Sequence, residues 1–177
     1  MQKIIVDIDN TLWDFATALW RQLRGVNSDF PSPSKWNEWT FWKQYLPDNQ
    51  FYKAVREIHI QQDKFLPYPD SKSFLTALKE KGFWIIIASH RDKEALDVTV
   101  RWLSKWELLF DDVYIGYEKS VLFKNSYAVV DDSPEVLEKA FQSGILRSGL
   151  LHPWNDGLNH PLFHSLMEVF GYIDSKK

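Results

Sequence analysis

The sequence has no cysteine, so the chain cannot form disulfides, use a thiol nucleophile or bind zinc through thiolates. It has only 7 glycines and 8 prolines in 177 residues, which excludes a collagen-like chain and argues against a disordered one. No apolar run approaches the roughly 18 residues of a transmembrane helix. Residues 1–7 also lack the pattern of a signal peptide. We therefore expect a cytoplasmic protein that makes no membrane contact.

The charges are nearly balanced, with 21 Lys and Arg against 24 Asp and Glu and a net charge of −3. A mildly acidic chain is poorly suited to follow the phosphates of DNA or RNA, so we expect no nucleic-acid polymer as a partner. Hydrophobic residues make up 45% of the sequence, enough for a substantial core at this length. Aromatic residues are abundant, with 9 Trp, 12 Phe and 7 Tyr.

Short apolar runs alternate with amphipathic segments along most of the chain. The amphipathic segments predict helices over about 70–82, 96–103 and 134–144, with capping residues at several of their ends. Strands that alternate with helices imply right-handed crossovers and a mainly parallel sheet covered on both faces, which is an α/β, Rossmann-like fold. The predicted strands are 3–7, 83–88, 113–116, 127–130 and, more weakly, 146–151.

The segment between the first strand and residue 67 does not fit this alternation. It contains helical patterns instead, over Asp14–Arg24 and from Asn49 onward, separated by a proline-bracketed stretch at 35–46 that also has helical spacing. A helical insertion of this size is too small to fold as an independent domain. We therefore predict an α/β core domain of residues 1–12 and 67–177, with a small helical cap of residues 13–66.

Polar and charged residues follow four of the predicted strands. In an open α/β sheet, ligands bind at the edge formed by the carboxyl ends of the strands, so we expect these side chains to converge. Closely packed carboxylates repel one another, and hard oxygen ligands suit Mg²⁺, which also binds substrate phosphate. One aspartate could then attack phosphorus, and a second could move the leaving-group proton. The residues are Asp7 and Asp9 after the first strand, Ser89, His90 and Arg91 after the second, Lys119 after the third, and Asp131 and Asp132 after the fourth.

Several of these residues also have a plainer interpretation. Aspartates after strands often cap turns, Ser89 alone would more often cap a helix, and Lys119 alone would more often be a solvated surface residue. The set as a whole, in strand order, favours a phosphoryl-transfer site.

Residues 7–11 (DIDNT) and 129–132 (VVDD) resemble the first and fourth motifs of the haloacid dehalogenase superfamily, and the resemblance spans nearly the whole chain. It implies that Asp7 is the nucleophile and binds Mg²⁺ through its carboxylate. Asp9 would be the acid/base and would bind the metal through its backbone carbonyl. Asp132 would be a further Mg²⁺ ligand. Ser89 and Lys119 match the residues that hold the phosphoryl group in this superfamily. The spacing from Lys119 to Asp131 is slightly long for that pattern, so Lys124 is an alternative to Lys119 as the phosphate-binding lysine. A dehalogenase is disfavoured, because those enzymes need neither Asp9 nor the metal.

Within the superfamily, residues 7–15 are most similar to the extended first motif of the 5′(3′)-deoxyribonucleotidase branch, where an aromatic residue at the position of Phe15 lies against the nucleobase. Residues 152–155 resemble the proline-aromatic-asparagine turn of that branch. Two features depart from it. Asn10 stands where the branch typically has glycine, and residues 89–91 fit its second motif less well. This resemblance implies that the substrate is a nucleoside monophosphate.

The expected substrate-binding residues are Asn10, Phe15, Trp39, His90 and Arg91. His90 and Arg91 could reach phosphate, although Arg91 could instead pair with a nearby acid such as Asp92 or one in the cap. Phe15 and the cap aromatics could stack on a base.

The tryptophans at 36, 39 and 42 are predicted to share one helical face, which could either line the substrate site or pack the cap onto the core. The histidines outside the strand ends have no metal-ligand spacing, so we expect them to be structural or surface residues. Two alternatives to a nucleotidase stay open: a phosphatase for another small phosphomonoester or phosphotyrosine, and a non-catalytic nucleotide-binding or scaffold module. Whether the chain is a monomer or a homodimer is also open.

Overall fold

The computed structural model describes residues 1–177 and contains one six-stranded sheet. Every neighbouring pair of strands is parallel, in the order β3-β2-β1-β4-β5-β6, which confirms the predicted α/β fold. The five predicted strands are present, with ends within one residue of the prediction. The sixth was not predicted, because two residues are too short to carry a pattern. The strands are β1 Lys3–Val6, β2 Trp84–Ser89, β3 Asp112–Ile115, β4 Ser126–Val130, β5 Leu146–Leu150 and β6 Leu162–Phe163.

Six helices surround the sheet, and the last of them was not predicted. Its sequence does carry a start signal, because the Ser165 hydroxyl accepts from the Glu168 N–H and the Glu168 carboxylate accepts from the Ser165 N–H, a capping box. The helices are α1 Phe15–Val26, α2 Asp48–His59, α3 Ser71–Glu80, α4 Leu96–Lys105, α5 Pro134–Gln142 and α6 Leu166–Asp174.

Side chains on β1 alternate between the two faces of the sheet, as the two-residue period of a strand requires. Ile4 and Val6 belong to the larger hydrophobic cluster, which also includes residues of α3, α4 and α6. Ile5 faces the other way and packs in a smaller cluster with Val136 and Ala140 of α5. Both faces of the central strand are therefore buried, which explains why its sequence is continuously apolar.

Some predicted helix ends differ from the structure. Helix α1 continues through Gly25, which has open space around it, and ends one residue later at Val26. Asp70 precedes α3, but its side chain does not cap that helix and instead accepts from the Leu166 N–H at 2.8 Å, tying α3 to α6. Asn49 lies inside the first turn of α2 and is not its cap.

The helix predicted over 35–46 is wrong. That stretch contains two short 3₁₀ turns, Pro33–Lys35 and Phe41–Gln44, so its tryptophans do not share a helical face. Trp36 stacks on Phe41 with ring centroids 3.9 Å apart, and Trp42 stacks on Phe51 at 4.0 Å. The flanking prolines and these aromatic contacts outweigh helix formation, to which tryptophan contributes weakly.

The insertion shares its hydrophobic core with the sheet. Trp36 and Trp42 belong to the same buried cluster as the β1 and β2 residues, and Trp36 lies 6.2 Å from the ring of Trp154, which follows β5. The insertion therefore sits against the carboxyl edge of the sheet and closes over it. None of the helices has both the length and the apolar character needed to cross a membrane.

Candidate active site

A cavity of about 650 Å³ lies at the carboxyl edge of the sheet, beneath the insertion. Strand β1 is central in the sheet, so the loop that follows it meets the loops after β2 and β4. This is the edge at which ligands bind in open α/β sheets. The cavity has acidic residues from these loops on one side and aromatic residues from the insertion on the other.

Three buried aspartates form a cluster at the base of the cavity. Carboxylate oxygens of Asp7, Asp131 and Asp132 all lie within 4.8 Å of one another. The Nζ of Lys119 lies 2.5 Å from Asp7 Oδ1 and 2.6 Å from Asp131 Oδ2, so one buried ammonium bridges two of the three acids. The rival lysine, Lys124, is exposed to solvent. The structure therefore brings Lys119, and not Lys124, to the nucleophile candidate.

Three carboxylates against one ammonium leave this cluster with excess negative charge. Burial raises the pKa of Asp7 to about 7, with Lys119 opposing the shift and Asp131 adding to it. Burial, together with the charges of Asp7 and Asp131, raises the pKa of Asp132 well above its usual range. Burial alone would lower the pKa of Lys119, but Asp131 and Asp7 outweigh it and raise that pKa, so the ammonium stays charged.

This donor set fits a Mg²⁺ ion. The carboxylates are hard oxygen ligands with unbalanced charge, and their 4.8 Å spread is only slightly wider than the roughly 4 Å between opposite ligands of Mg²⁺. Asp7 and Asp132 are two of the predicted ligands. The cluster also contains Asp131, which was not in the predicted ligand set, although its Oδ2 is held by Lys119 and its Oδ1 accepts from the Ser133 N–H.

The carboxylate of Asp9 is held apart from this cluster. Its Oδ1 accepts from Trp13 Nε1 at 2.9 Å and Arg91 Nη2 at 2.5 Å. Its Oδ2 lies 2.9 Å from His59 Nε2, with longer contacts of 3.3 Å to Arg91 Nε and 3.4 Å to Ser89 Oγ. Burial alone would raise the pKa of Asp9, but Arg91 and His59 outweigh it and hold this pKa well below its usual range. Asp9 is therefore an ionised carboxylate here.

Arg91, which was expected to reach phosphate, lines the cavity, and its guanidinium is hydrogen-bonded to other side chains. The side chain is 1% exposed, and besides Asp9 it donates to Thr99 Oγ1 at 2.8 Å and to the side-chain oxygen of Gln62. Its acidic partner is Asp9, and not Asp92 or an acid of the insertion. Asp92 pairs with Arg56 of α2 at 2.8 Å. Arg91 thus contributes to the site by holding Asp9.

Asn10, which was expected among the substrate-binding residues, lines the cavity, and its side chain also links two loops of the site. Its Nδ2 donates to Asp132 Oδ2 at 3.1 Å, and its Oδ1 accepts from the Ala16 N–H at 2.7 Å. Its φ is 56°, a left-handed conformation in which asparagine is among the better-tolerated side chains. Glycine adopts this conformation at no steric cost, so asparagine stands here at a position that would also suit glycine.

Hydrogen bonds connect the turn after β5 to the loops after β1 and β4. Asn155 is fully buried and donates through Nδ2 to the carbonyl oxygens of Asp132 and Leu150. His152 Nε2 lies 2.8 Å from the carbonyl oxygen of Asn10. The ring of Trp154 stacks on His152 with centroids 4.5 Å apart and forms part of the cavity wall. The 152–155 turn therefore stabilises the two loops that carry Asn10 and Asp132.

The remaining predicted residues lie at or beside the cavity. Ser89 is fully buried at the end of β2 and contacts Asp9 as described. His90 lines the cavity, where burial and the charge of Lys119 lower its pKa, so the imidazole is neutral at pH 7. Phe15 and Trp39 also line it, Phe15 stacked on His59 at 5.2 Å and Trp39 38% exposed.

Sequence reasoning missed His59 as a partner of Asp9 and Trp154 as a cavity residue, and it placed Asp131 among the converging acids without assigning it to the metal. His59 was expected to be structural or on the surface, but it is 4% exposed and contacts Asp9. A signal for it was available, because position 59 falls on the apolar face of α2 together with Phe51 and Val55. A polar side chain on such a face is either paired or functional.

Comparison with known proteins identifies the family. A family model described as haloacid dehalogenase-like hydrolase matches residues 1–143. No curated protein sequence matches the chain significantly. One similar solved structure is a dehalogenase with an intermediate complex, at 16% identity and a TM-score of 0.64, covering 97% of this chain and 96% of that one.

Two further structures are similar over equal lengths. A predicted phosphoglycolate phosphatase from Haemophilus somnus 129pt has 18% identity, a TM-score of 0.63 and coverage of 97% of both chains. CbbY from Rhodobacter sphaeroides, in complex with phosphate, has 14% identity, a TM-score of 0.64 and coverage of 96% of both chains. At these identities the structures establish a shared fold. Together with the family match over most of its length, they show that this chain belongs to the haloacid dehalogenase-like hydrolase family.

Proposed function

We propose that this protein is a Mg²⁺-dependent phosphomonoester hydrolase that works through an aspartyl-phosphate on Asp7. The observation that carries the proposal is the buried Lys119 ammonium, which bridges Asp7 and Asp131 at the base of the cavity beside Asp132. A nucleophilic carboxylate, a fixed cation and further oxygen ligands are the groups that phosphoryl transfer requires, because catalysis there is mostly positioning and charge stabilisation.

Asp7 is the proposed nucleophile. One of its carboxylate oxygens forms a bond to phosphorus while the bond from phosphorus to the ester oxygen breaks, and that oxygen leaves with the electron pair and takes up a proton. Water then attacks phosphorus, releasing inorganic phosphate and restoring the carboxylate. Lys119 holds Asp7 Oδ1, and the Thr11 hydroxyl lies 3.4 Å from Asp7 Oδ2, so the carboxylate is oriented before substrate arrives. A Mg²⁺ bound by Asp7 and Asp132 would neutralise charge on the acids and on the phosphoryl group.

Asp9 is the proposed proton carrier for the leaving oxygen and later for the attacking water. It stands two residues after Asp7 and is held by Arg91, whereas Asp7 is held by Lys119. Because Arg91 and His59 lower its pKa, Asp9 suits the role of base as it stands. To act as an acid it must gain a proton while these partners hold its carboxylate in place, and a negatively charged phosphoryl group in the cavity raises its pKa toward that state.

The proposed substrate is a nucleoside monophosphate. A cavity of about 650 Å³ is large enough for one, and aromatic rings of Phe15, Trp39 and Trp154 line it. Aromatic faces stack on any base and need no basic surface, in keeping with the net charge of −3. A second candidate is a smaller phosphomonoester, which the structural similarity to a predicted phosphoglycolate phosphatase favours.

The proposal is tested by phosphate release from nucleoside monophosphates, sugar phosphates, phosphoglycolate and phosphotyrosine, with Mg²⁺ and with a chelator. We expect Mg²⁺-dependent turnover that is fastest on nucleotides and is abolished by Asp7→Asn. Asp97→Asn, which changes an exposed aspartate on α4, is the matched control and should retain full activity. Turnover confined to other esters would keep the mechanism and overturn the nucleotide. No turnover of any ester would overturn the proposed activity.

A further inference from the structure

The two carboxylate oxygens of Asp9 are held unequally. Oδ1 has two short contacts, from Trp13 Nε1 at 2.9 Å and Arg91 Nη2 at 2.5 Å. Oδ2 has one short contact, His59 Nε2 at 2.9 Å, and its contacts with Arg91 Nε and Ser89 Oγ are 3.3 and 3.4 Å long. If the imidazole were removed, Oδ2 would keep only these longer contacts.

The partners of Asp9 come from different parts of the fold. Arg91 follows β2 and donates to the Thr99 hydroxyl of α4 in the sheet domain. Trp13 is the first residue of the insertion, and His59 ends α2 within it. Asp9 is therefore held between the sheet domain and the insertion, which reaches Oδ1 through the Trp13 indole and Oδ2 through the His59 imidazole.

The imidazole of His59 has no side-chain hydrogen bond apart from the one to Asp9. It is 4% exposed, stacks on Phe15 at 5.2 Å, and makes its one side-chain hydrogen bond to Asp9. The ring position therefore follows the position of α2, which packs on α1 within the insertion. A shift of the insertion would move the group that orients Asp9 Oδ2.

We infer that His59 is a positioning residue for Asp9: it fixes the orientation of the Asp9 carboxylate and makes that orientation depend on how the insertion sits over the cavity. The inference rests on the proposed function, in which Asp9 gives a proton to the leaving ester oxygen. It adds a residue from the insertion to the machinery of the sheet domain. Loss of His59 impairs proton transfer and leaves the attack of Asp7 on phosphorus intact.

Leaving-group chemistry separates this role from simple packing. An alkyl ester, such as a nucleoside 5′-monophosphate, releases a strongly basic alkoxide that needs a proton as the bond breaks. p-Nitrophenyl phosphate releases a weakly basic phenolate that does not. The later activation of water by Asp9 is common to both substrates, so the two are compared by kcat/KM, which reports on the steps up to release of the leaving group. A defect in the orientation of Asp9 lowers kcat/KM selectively for the first substrate, whereas general damage to the cavity lowers it for both.

The experiment measures kcat and KM of His59→Leu and His59→Gln on a nucleoside monophosphate and on p-nitrophenyl phosphate at saturating Mg²⁺. For His59→Leu we expect kcat/KM on the nucleotide to fall about 10- to 100-fold, with at most about a threefold change in kcat/KM for p-nitrophenyl phosphate. Glutamine places an N–H at a similar reach, so His59→Gln should recover most of the loss. His164→Leu, at an exposed histidine, is the matched control and should behave as wild type.

Thermal melting of each variant checks that it folds. If His59→Leu does not fold, His59→Met keeps the volume with a flexible side chain and still lacks the N–H, and it replaces leucine in the comparison with glutamine. Equal losses of kcat/KM on both substrates, or no recovery in His59→Gln, would overturn the positioning role while leaving the proposed hydrolase standing. Wild-type protein inactive on every ester would overturn the proposed function itself, and this role with it.

Discussion

The side-chain amide of Asn10 donates to Asp132 Oδ2 at 3.1 Å and joins the loop after β1 to the loop after β4. Both residues are buried, and the same amide accepts from the Ala16 N–H, the second residue of α1. Asn10 thus links an acidic ligand of the proposed metal site to the start of the insertion. Its left-handed φ of 56° is the conformation that lets one side chain reach both partners.

Asn10→Ala should weaken both the fold and the metal site. The substitution removes two buried hydrogen bonds and puts alanine at a positive φ, so we expect a loss of about 1–3 kcal/mol in the free energy of unfolding. Asp132 also loses its amide partner, so Mg²⁺ should raise the melting temperature less than in wild type. Denaturant unfolding and melting with Mg²⁺ measure both effects. Asn10→Gly also lacks the amide but has no strain at a positive φ, so it isolates the loss of the two hydrogen bonds. A wild-type Mg²⁺ response in Asn10→Gly would mean that the amide does not orient Asp132.

The stabilisation by Mg²⁺ should increase with pH between about pH 5.5 and about pH 8. Burial raises the pKa of Asp7 to about 7 in the metal-free protein, against about 4 in an unfolded chain. In the metal-free fold, ionising Asp7 therefore costs stability as pH rises from about 4 to about 7. Below about pH 7 the metal must displace a proton from Asp7, and above that pH the Asp7 carboxylate is already deprotonated.

The measurement is the rise in melting temperature caused by Mg²⁺ at several pH values, compared at fixed ionic strength. Asp7→Asn is the informative control, because an amide does not titrate, and its Mg²⁺ response should be smaller and less dependent on pH. A response in wild type that is as large at pH 5.5 as at pH 8 would contradict a raised pKa at Asp7.

Lys119→Met should abolish most activity and destabilise the metal-free protein at neutral pH. The variant leaves three buried carboxylates without their cation, so their ionisation becomes more costly. We expect kcat to fall about 10²- to 10³-fold, the range seen when one transition-state donor is lost. Lys124→Met is the matched control at an exposed lysine and should stay within about 0.5 kcal/mol of wild type with full activity. The opposite ranking of the two variants would assign the phosphate-binding role to Lys124.

Gly149→Ala should displace the backbone of Asp131 and so disturb the acidic cluster. A methyl group at this position in β5 would lie 2.0 Å from the carbonyl oxygen of Asp131, a backbone atom that cannot move without shifting the end of β4. We expect a loss of at least about 2 kcal/mol in the free energy of unfolding, together with weaker Mg²⁺ binding.

Gly171→Ala is the control for this substitution. Gly171 lies inside α6 with nothing within 4 Å of an added methyl, so alanine should be neutral or stabilise by up to about 1 kcal/mol. Chemical denaturation and the Mg²⁺-induced change in melting temperature measure both variants. Equal stability of the two variants would contradict the close approach between β4 and β5.

The sequence alone determined the sheet and the list of strand-end residues. β1 is continuously apolar because both faces are buried, and the residue after it, Asp7, comes at the edge where parallel strands end. Such patterns are local, since they depend on side-chain period and on the residue types at strand ends. The same reasoning placed Asp132 and Lys119 in the loops that the structure brings together.

Tertiary structure decided which side chains meet, because those contacts join residues far apart in the chain. His59 and Arg91 reach Asp9 across 50 and 82 positions, and no period or motif encodes such a contact. The stretch at 35–46 is a second case, in which stacking of Trp36 on Phe41 outweighed a helical spacing. Local preferences differ by fractions of a kcal/mol per residue, whereas burying an aromatic ring or pairing a buried charge is worth several times more. Tertiary contacts therefore determined the conformation of residues 35–46 and the orientation of the Asp9 carboxylate.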